Sequence, residues 1–179
     1  MDKLNLGCGR INKSGYVNFD IVSMPEVDIV GDMDEGLPFL DNSFSEVLAS
    51  HILEHSRDLV RLMAEIWSVT KFGGVLEAYV PWWSYPLTMR DPTHRIPFCH
   101  TTFDPFCDDD YDHFHKVCGV DGKWHKLGME FVLDKEFYLP DREKLHKLGG
   151  YSPISQMKVR MEKVSDVLQG VEYETHFSH

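Results

Sequence analysis

Apolar positions in the first eighty residues fall in short runs, each ended by turn residues. Lys3-Leu4-Asn5-Leu6 predicts a short strand that runs straight into Gly7-Cys8-Gly9. Tyr16-Val17-Asn18-Phe19 is a second β-rich run and ends on Asp20. After a break at Pro25, Val27-Asp28-Ile29-Val30 predicts a third short buried strand, closed by Gly31-Asp32-Met33. Leu37–Asn42 reads as a turn-rich crossover. Ser45–Ser50 is the fourth strand, with His51 at its carboxyl end. From Asp58 the period changes to helical. Leu59, Leu62, Met63, Ile66 and Val69 share one face, with Arg57, Arg61, Glu65 and Lys71 opposite. That stripe is core. Gly73-Gly74 is expected to stop the helix as a C′ glycine would, and Val75–Val80 to form the fifth strand, closed by Pro81.

The pattern then loses its regularity. Pro81-Trp82-Trp83-Ser84-Tyr85-Pro86 is aromatic and turn-rich, followed by Arg90-Asp91-Pro92-Thr93-His94-Arg95. Within a single domain spanning 1–179, residues 81–128 are the only spare material to cover a reaction site, and are expected to form a lid and acceptor-site insertion. Cys99, Cys107, Asp108–Asp110, His113, His115, Cys118 and His125 include many metal-ligand types. They match no standard zinc spacing, and a solvated loop is expected. Met129–Leu133 with Glu136–Leu139 predicts a sixth strand, and Pro140–Gly150 a short polar helix. In Gln156–Val164, Met157, Val159 and Met161 alternate with Lys158, Arg160 and Glu162, which suits a strand antiparallel to the sixth. Val171–Glu174 is an alternative last strand.

Strand, glycine turn, strand and carboxylate make the skeleton of a nucleotide-binding Rossmann half. Glycine lets the backbone take positive φ and approach a ligand closely, and Asp20 can accept both hydroxyls of a ribose. A dinucleotide site would need a third glycine opening a full helix. Here that position is Asn12, and Arg10–Gly15 leaves room for about one helical turn. A nucleoside without phosphates fits better, and the common one is S-adenosylmethionine (SAM).

The runs LNLGCG…GYVNFDI, GDMDEGLPFLDNSFSEVLASHILEH and EIWSVTKFGGVLEAYVP resemble, in order, class I SAM-dependent methyltransferases, and most nearly the small stand-alone type 11 group. The resemblance implies an α/β Rossmann-like methyltransferase fold: a mostly parallel sheet of seven strands, or a truncated one, with an antiparallel strand near the edge and helices on both faces. It implies that Gly7, Cys8 and Gly9 meet the methionine portion of SAM. Asn5 stands where the family usually has an acid, and its amide can still accept a hydrogen bond from the methionine amino group. Asp20 and Ile21 would meet the ribose. Asp32 would meet the adenine amine, and the Met33 backbone N–H a ring nitrogen. Ser50 and His51 would close the site from the fourth strand. The Asp-Pro-Thr-His segment would fold over the methyl group.

For proton transfer His51 leads, since ligands of open α/β sheets bind beyond the carboxyl ends of the strands. His94 and Asp91 follow, with His100 behind them. His51-Ile52-Leu53-Glu54-His55 also spells H-x-x-E-H, but a zinc protease needs both histidines well inside a helix. His55 is expected to pack on the sheet, and no metal is expected. A net charge of −11 argues against nucleic acid, whose phosphates need basic surface. Carbohydrate or a small metabolite suits the aromatic segment better. No run is apolar enough to span a membrane. The amino-terminal residues lack a signal-peptide pattern, and one of four cysteines sits in the glycine loop. A reducing cytoplasm is the expectation. Two alternatives remain: a non-catalytic module binding SAM or S-adenosylhomocysteine (SAH), and a nicotinamide-dependent Rossmann enzyme.

Overall fold

A computed structural model describes residues 1–107, 122–133 and 154–164. Its strands are β1 (Lys3–Leu6), β2 (Val17–Asp20), β3 (Ile29–Val30), β4 (Phe44–Ser50), β5 (Thr70–Pro81), β6 (Lys123–Leu133) and β7 (Ile154–Val164), with one helix, α1 (Leu59–Val69). They form one sheet in the order β3-β2-β1-β4-β5-β7-β6. Pairing is parallel from β3 to β5, and β7 runs antiparallel to both β5 and β6. The expected sheet is therefore present. The order reverses between β1 and β4, and such a switch point opens a crevice for a ligand.

Alternation along the strands explains the layers. Leu4, Val47, Leu76 and Met161 lie side by side across the sheet, and Leu6, Ala49, Ala78 and Val159 form the next row. All eight are buried in one cluster with Leu59, Leu62, Met63, Ile66 and Val69 of α1. Each fully buried aliphatic side chain contributes about 1.5–3 kcal/mol. Asp58 caps α1, accepting a hydrogen bond from the Arg61 N–H at 3.0 Å.

The opposite face is polar. Glu46 meets Lys3 at 2.8 Å and the Tyr16 hydroxyl, while Glu77 meets Lys158 at 3.2 Å and Arg160 at 3.5 Å. Helices on both faces were expected. Among the described residues α1 is the one α-helix, and the charged rows on the second face explain why that face needs no apolar cover.

Other expectations are corrected. The third strand shrinks to Ile29–Val30, with Val30 half-exposed at the sheet edge. Gly73 and Gly74 do not end the helix. Thr70 does, taking extended backbone and opening β5 without a turn, and its hydroxyl bonds the Ile66 carbonyl at 2.6 Å. The sixth strand begins at Lys123 rather than Met129. The stretch around Cys99 and Cys107 is no solvated loop: Phe98, Phe103 and Phe106 are buried, and both cysteines pack on the same core. Asp108–Asp110, His113, His115, Cys118, Glu136–Leu139, Pro140–Gly150 and Val171–Glu174 lie outside the described residues. Among the described residues no helix is long and apolar enough to cross a membrane.

One inward position carries a charge. Lys163 of β7 is 1% exposed. Its ammonium donates to Asn42 Oδ1 at 2.9 Å and to the carbonyls of Trp67 and Thr70 at 2.9 and 2.8 Å. It also lies 3.7 Å from the Trp67 ring centroid. The last carbonyls of α1, which have no intrahelical donors, are thus capped from a distant strand.

Candidate active site

The chain turns sharply after β1. Gly7 sits at φ +66°, and a Cβ there would overlap the Ile52 side chain. Gly9 sits at φ +53° with open space where a Cβ would project. The Gly9 N–H donates to Asp20 Oδ2 at 2.8 Å, and the Val22 N–H to Asp20 Oδ1 at 3.0 Å. Asp20 therefore ties the glycine loop to the tip of β2 while still facing the crevice. No helix follows: residues 10–16 are turns and irregular backbone.

Between these elements lies a cavity of about 370 Å³, within the usual range for a small-molecule site. Leu6, Phe19, Ile21, Met33 and Ile52 supply apolar wall, and Asp20, Asp32 and Asp34 supply acid. Among the described residues of the lining, Arg57 is the one Lys or Arg side chain. It is already paired with Asp32 at 2.6 Å, Asp34 at 3.1 Å and Glu35 at 3.6 Å. Such a wall repels a pyrophosphate and suits a neutral nucleoside joined to a cation.

Of the expected cofactor residues, Gly7, Asp20, Ile21, Asp32 and Met33 line this cavity. Asn5, Cys8, Gly9, Ser50 and His51 do not. Asn5 is 4% exposed, and its amide donates to the Ile11 carbonyl at 3.1 Å and to Asn18 Oδ1 at 2.9 Å, bracing the loop from below. The Cys8 thiol is buried, and burial raises its pKa.

The candidate proton acceptors lie beside the cavity. His51 holds φ +52°, an unusual conformation for a non-glycine residue and one that marks functional sites. Its Nε2 meets Gln156 Oε1 at 2.7 Å, and its Nδ1 lies 3.4 Å from Glu54. The neighbouring carboxylate raises its pKa, against the effect of burial. Asp91 accepts from the Thr93 N–H at 2.8 Å and the Thr93 hydroxyl at 2.6 Å, bonds that lower its pKa. His94 Nδ1 bonds the Thr88 carbonyl at 2.8 Å. His100 is exposed.

Four residues of this region were not anticipated. Arg57 was read only as the helix's polar face, and Thr93 only as part of a motif. His55 lines the cavity rather than packing on the sheet, with its ring against His94 at 4.8 Å. Glu54 is fully buried. H-x-x-E-H and Asp-Pro-Thr-His were both legible as motifs; their meeting in space was not.

Residues 10–78 match the model of a methyltransferase domain family. No curated protein matches the chain in sequence. Solved structures share its fold. A SAM-dependent methyltransferase from Archaeoglobus fulgidus superposes with TM-score 0.63 at 19% identity, covering 90% of this chain and 85% of that one. The Haloferax volcanii complex of the Trm112 methyltransferase activator with a methyltransferase gives 0.59 at 17% identity, covering 90% and 82%. A Burkholderia thailandensis 1,6-didemethyltoxoflavin-N1-methyltransferase, solved with 1,6-didemethyltoxoflavin and SAH, gives 0.55 at 14% identity, covering 91% and 71%.

Proposed function

We propose that this chain is a class I SAM-dependent methyltransferase, a reading supported by the family match over residues 10–78 and the shared fold, and that it methylates an oxygen or nitrogen of a small molecule or carbohydrate. The observation that carries the reading is the acidic, phosphate-averse cavity at the switch point of the sheet. Its dimensions and lining fit SAM: an apolar slot for the adenosine, Asp20 for the ribose, and a glycine turn that lets the backbone come close. When bound, SAM supplies an electrophilic methyl on a sulfonium. The chain's own task is then to bind, orient and remove a proton. Gly7 and Gly9 leave room beside the loop. Asp32 and Met33 bound the adenine end, with Asp32 steadied by Arg57. Holding two reactants in line is worth about 7–11 kcal/mol.

Residues 82–97, at the start of the expected insertion, serve as the lid over the acceptor, while 123–128 belong to β6. Within them Trp83, Leu87 and Met89 are exposed, which suits a flat, weakly polar ligand. The net charge of −11 disfavours a nucleic-acid acceptor. The Burkholderia relative, solved with a small-molecule substrate, supports the same class. His51 is the leading proton acceptor, with His94 and Asp91 as reserves.

Calorimetric titration with SAM, SAH and NAD tests the reading. SAM and SAH should each bind once, and NAD should give no heat. Saturation at a hundred times Kd should stabilise the fold by about 2.7 kcal/mol. Absence of binding by both SAM and SAH would overturn the proposal; binding without turnover on any acceptor would favour the non-catalytic module. His51→Ala should lower methyl transfer about 10²–10⁴-fold while leaving the SAH Kd nearly unchanged. Undiminished turnover would remove His51 from the mechanism.

A further inference from the structure

At the cavity wall Glu54, His55 and His94 converge, and the methyl-transfer reading uses only His94 among them, as a reserve proton acceptor. Glu54 is 0% exposed, and neither of its carboxylate oxygens meets a hydrogen-bond donor. A carboxylate without hydrogen bonds in the interior is costly, and the nearest imidazole nitrogens, His51 Nδ1 at 3.4 Å and His94 Nε2 at 3.9 Å, stand too far off to supply one.

The two nearby imidazoles are oriented by outer partners. His94 Nδ1 bonds the Thr88 carbonyl at 2.8 Å. A carbonyl only accepts, so Nδ1 carries the hydrogen, and in the neutral ring Nε2 keeps a lone pair. The Thr93 hydroxyl donates to Asp91 and therefore accepts from His55 Nδ1 at 2.9 Å, which leaves His55 Nε2 with a lone pair as well. One ligand atom each from Glu54, His55 and His94 lies within 4.8 Å of the others. With both rings neutral, two imidazole nitrogens and a buried carboxylate are thus gathered at one place.

We propose that Glu54, His55 and His94 bind a divalent first-row transition cation of the zinc type. Two histidines and one glutamate form an established zinc ligand set with an open position, and nitrogen–oxygen donors suit this metal class. The Thr88 carbonyl and the Thr93–Asp91 pair are the outer partners that ligating histidines characteristically have. Ligation at about 2.0–2.2 Å draws the three atoms together by ring rotation. Only the second half of H-x-x-E-H takes part: His51 turns to Gln156, and the missing ligand comes from His94. His55 and Thr93 also line the cofactor cavity, so the ion sits in its wall, with the open position available to a hydroxyl of an acceptor.

Titration of the full, tag-free chain with Co²⁺ and Zn²⁺ decides the matter. One equivalent of Co²⁺ should give the strong visible band of a four- or five-coordinate ion, displaced by one equivalent of Zn²⁺. Glu54→Gln and His94→Ala should each weaken Zn²⁺ binding at least about tenfold, the loss that follows from removing even an outer partner of a ligand. Should either variant fail to fold, the wild-type spectrum still decides. No stoichiometric binding, a thiolate-to-cobalt band in the near ultraviolet that places the ion among cysteines, or binding unchanged in both folded variants would each overturn the proposal.

Discussion

Gly7→Ala should bind SAH at least about thirtyfold more weakly than the wild type and unfold more easily. Two costs combine. The first is conformational: at φ +66° an L-residue loses about 1–2 kcal/mol. The second is steric, because the new methyl overlaps Cβ, Cγ1 and Cδ1 of Ile52, and overpacking of this sort costs about 1–3 kcal/mol. Ile52 cannot retreat freely, since it packs against the core and lines the same cavity. Affinity falls because either the loop or Ile52 must move into the space for the ligand, and each 1.4 kcal/mol is tenfold. The double variant Gly7→Ala/Ile52→Ala should recover part of the loss, since Cγ1 and Cδ1 are gone and only the Ile52 Cβ contact and the backbone term remain. Calorimetry with SAH on the two singles and the double measures that coupling. Wild-type affinity in Gly7→Ala would show that the loop does not cradle the ligand.

Lys163→Met should destabilise the fold by about 1–3 kcal/mol, the range for leaving buried acceptors without a donor. The substitution roughly preserves volume but leaves Asn42 Oδ1 and the carbonyls of Trp67 and Thr70 without their shared donor. Urea unfolding at neutral pH measures the difference, and a loss below about 0.5 kcal/mol would contradict the capping role. The pH dependence has a definite sign. Burial draws the Lys163 pKa down from 10.5 to about 8, partly opposed by Asp41. Between those values the unfolded chain binds this proton more tightly, so stability rises with pH across the window. Deprotonation also removes one of three donors, which limits the rise to about 1–2 kcal/mol. The variant should lack that rise.

Much of this was legible because strand and helix periods are local. Alternation in Val75–Val80 and Gln156–Val164 fixes which face is core, and the same alternation makes the second face polar. Continued by one step it also places Lys163 inward, beside Met157, Val159 and Met161. The end of α1 was misread because Gly73-Gly74 looks like a helix stop. Gly74 instead serves close packing within β5 and against β4: a Cβ there would lie 2.8 Å from the Lys71 carbonyl and 3.1 Å from that of Phe44, the second contact coming from a strand distant in sequence. In the site, the glycine loop and Asp20 were readable from spacing. Asn5 is expected to accept from the ligand through its amide oxygen; its amide nitrogen donates to Ile11 and Asn18, partners that only the fold supplies. The approach of His94 to Glu54 and His55 is likewise tertiary.

The sheet order has a consequence for biosynthesis. Translation delivers β6 before β7, yet β7 lies between β5 and β6 in the finished sheet. While the chain is still leaving the ribosome, β5 presents an unpaired edge rich in Val, Leu and Ala, an inviting template for a neighbouring nascent chain. β6 must either wait apart or pair with β5 temporarily and be displaced. Truncation before residue 154 would make that interim permanent, leaving α1 uncapped and the edge open, and a polypeptide of that length should be retained by holdase chaperones rather than released.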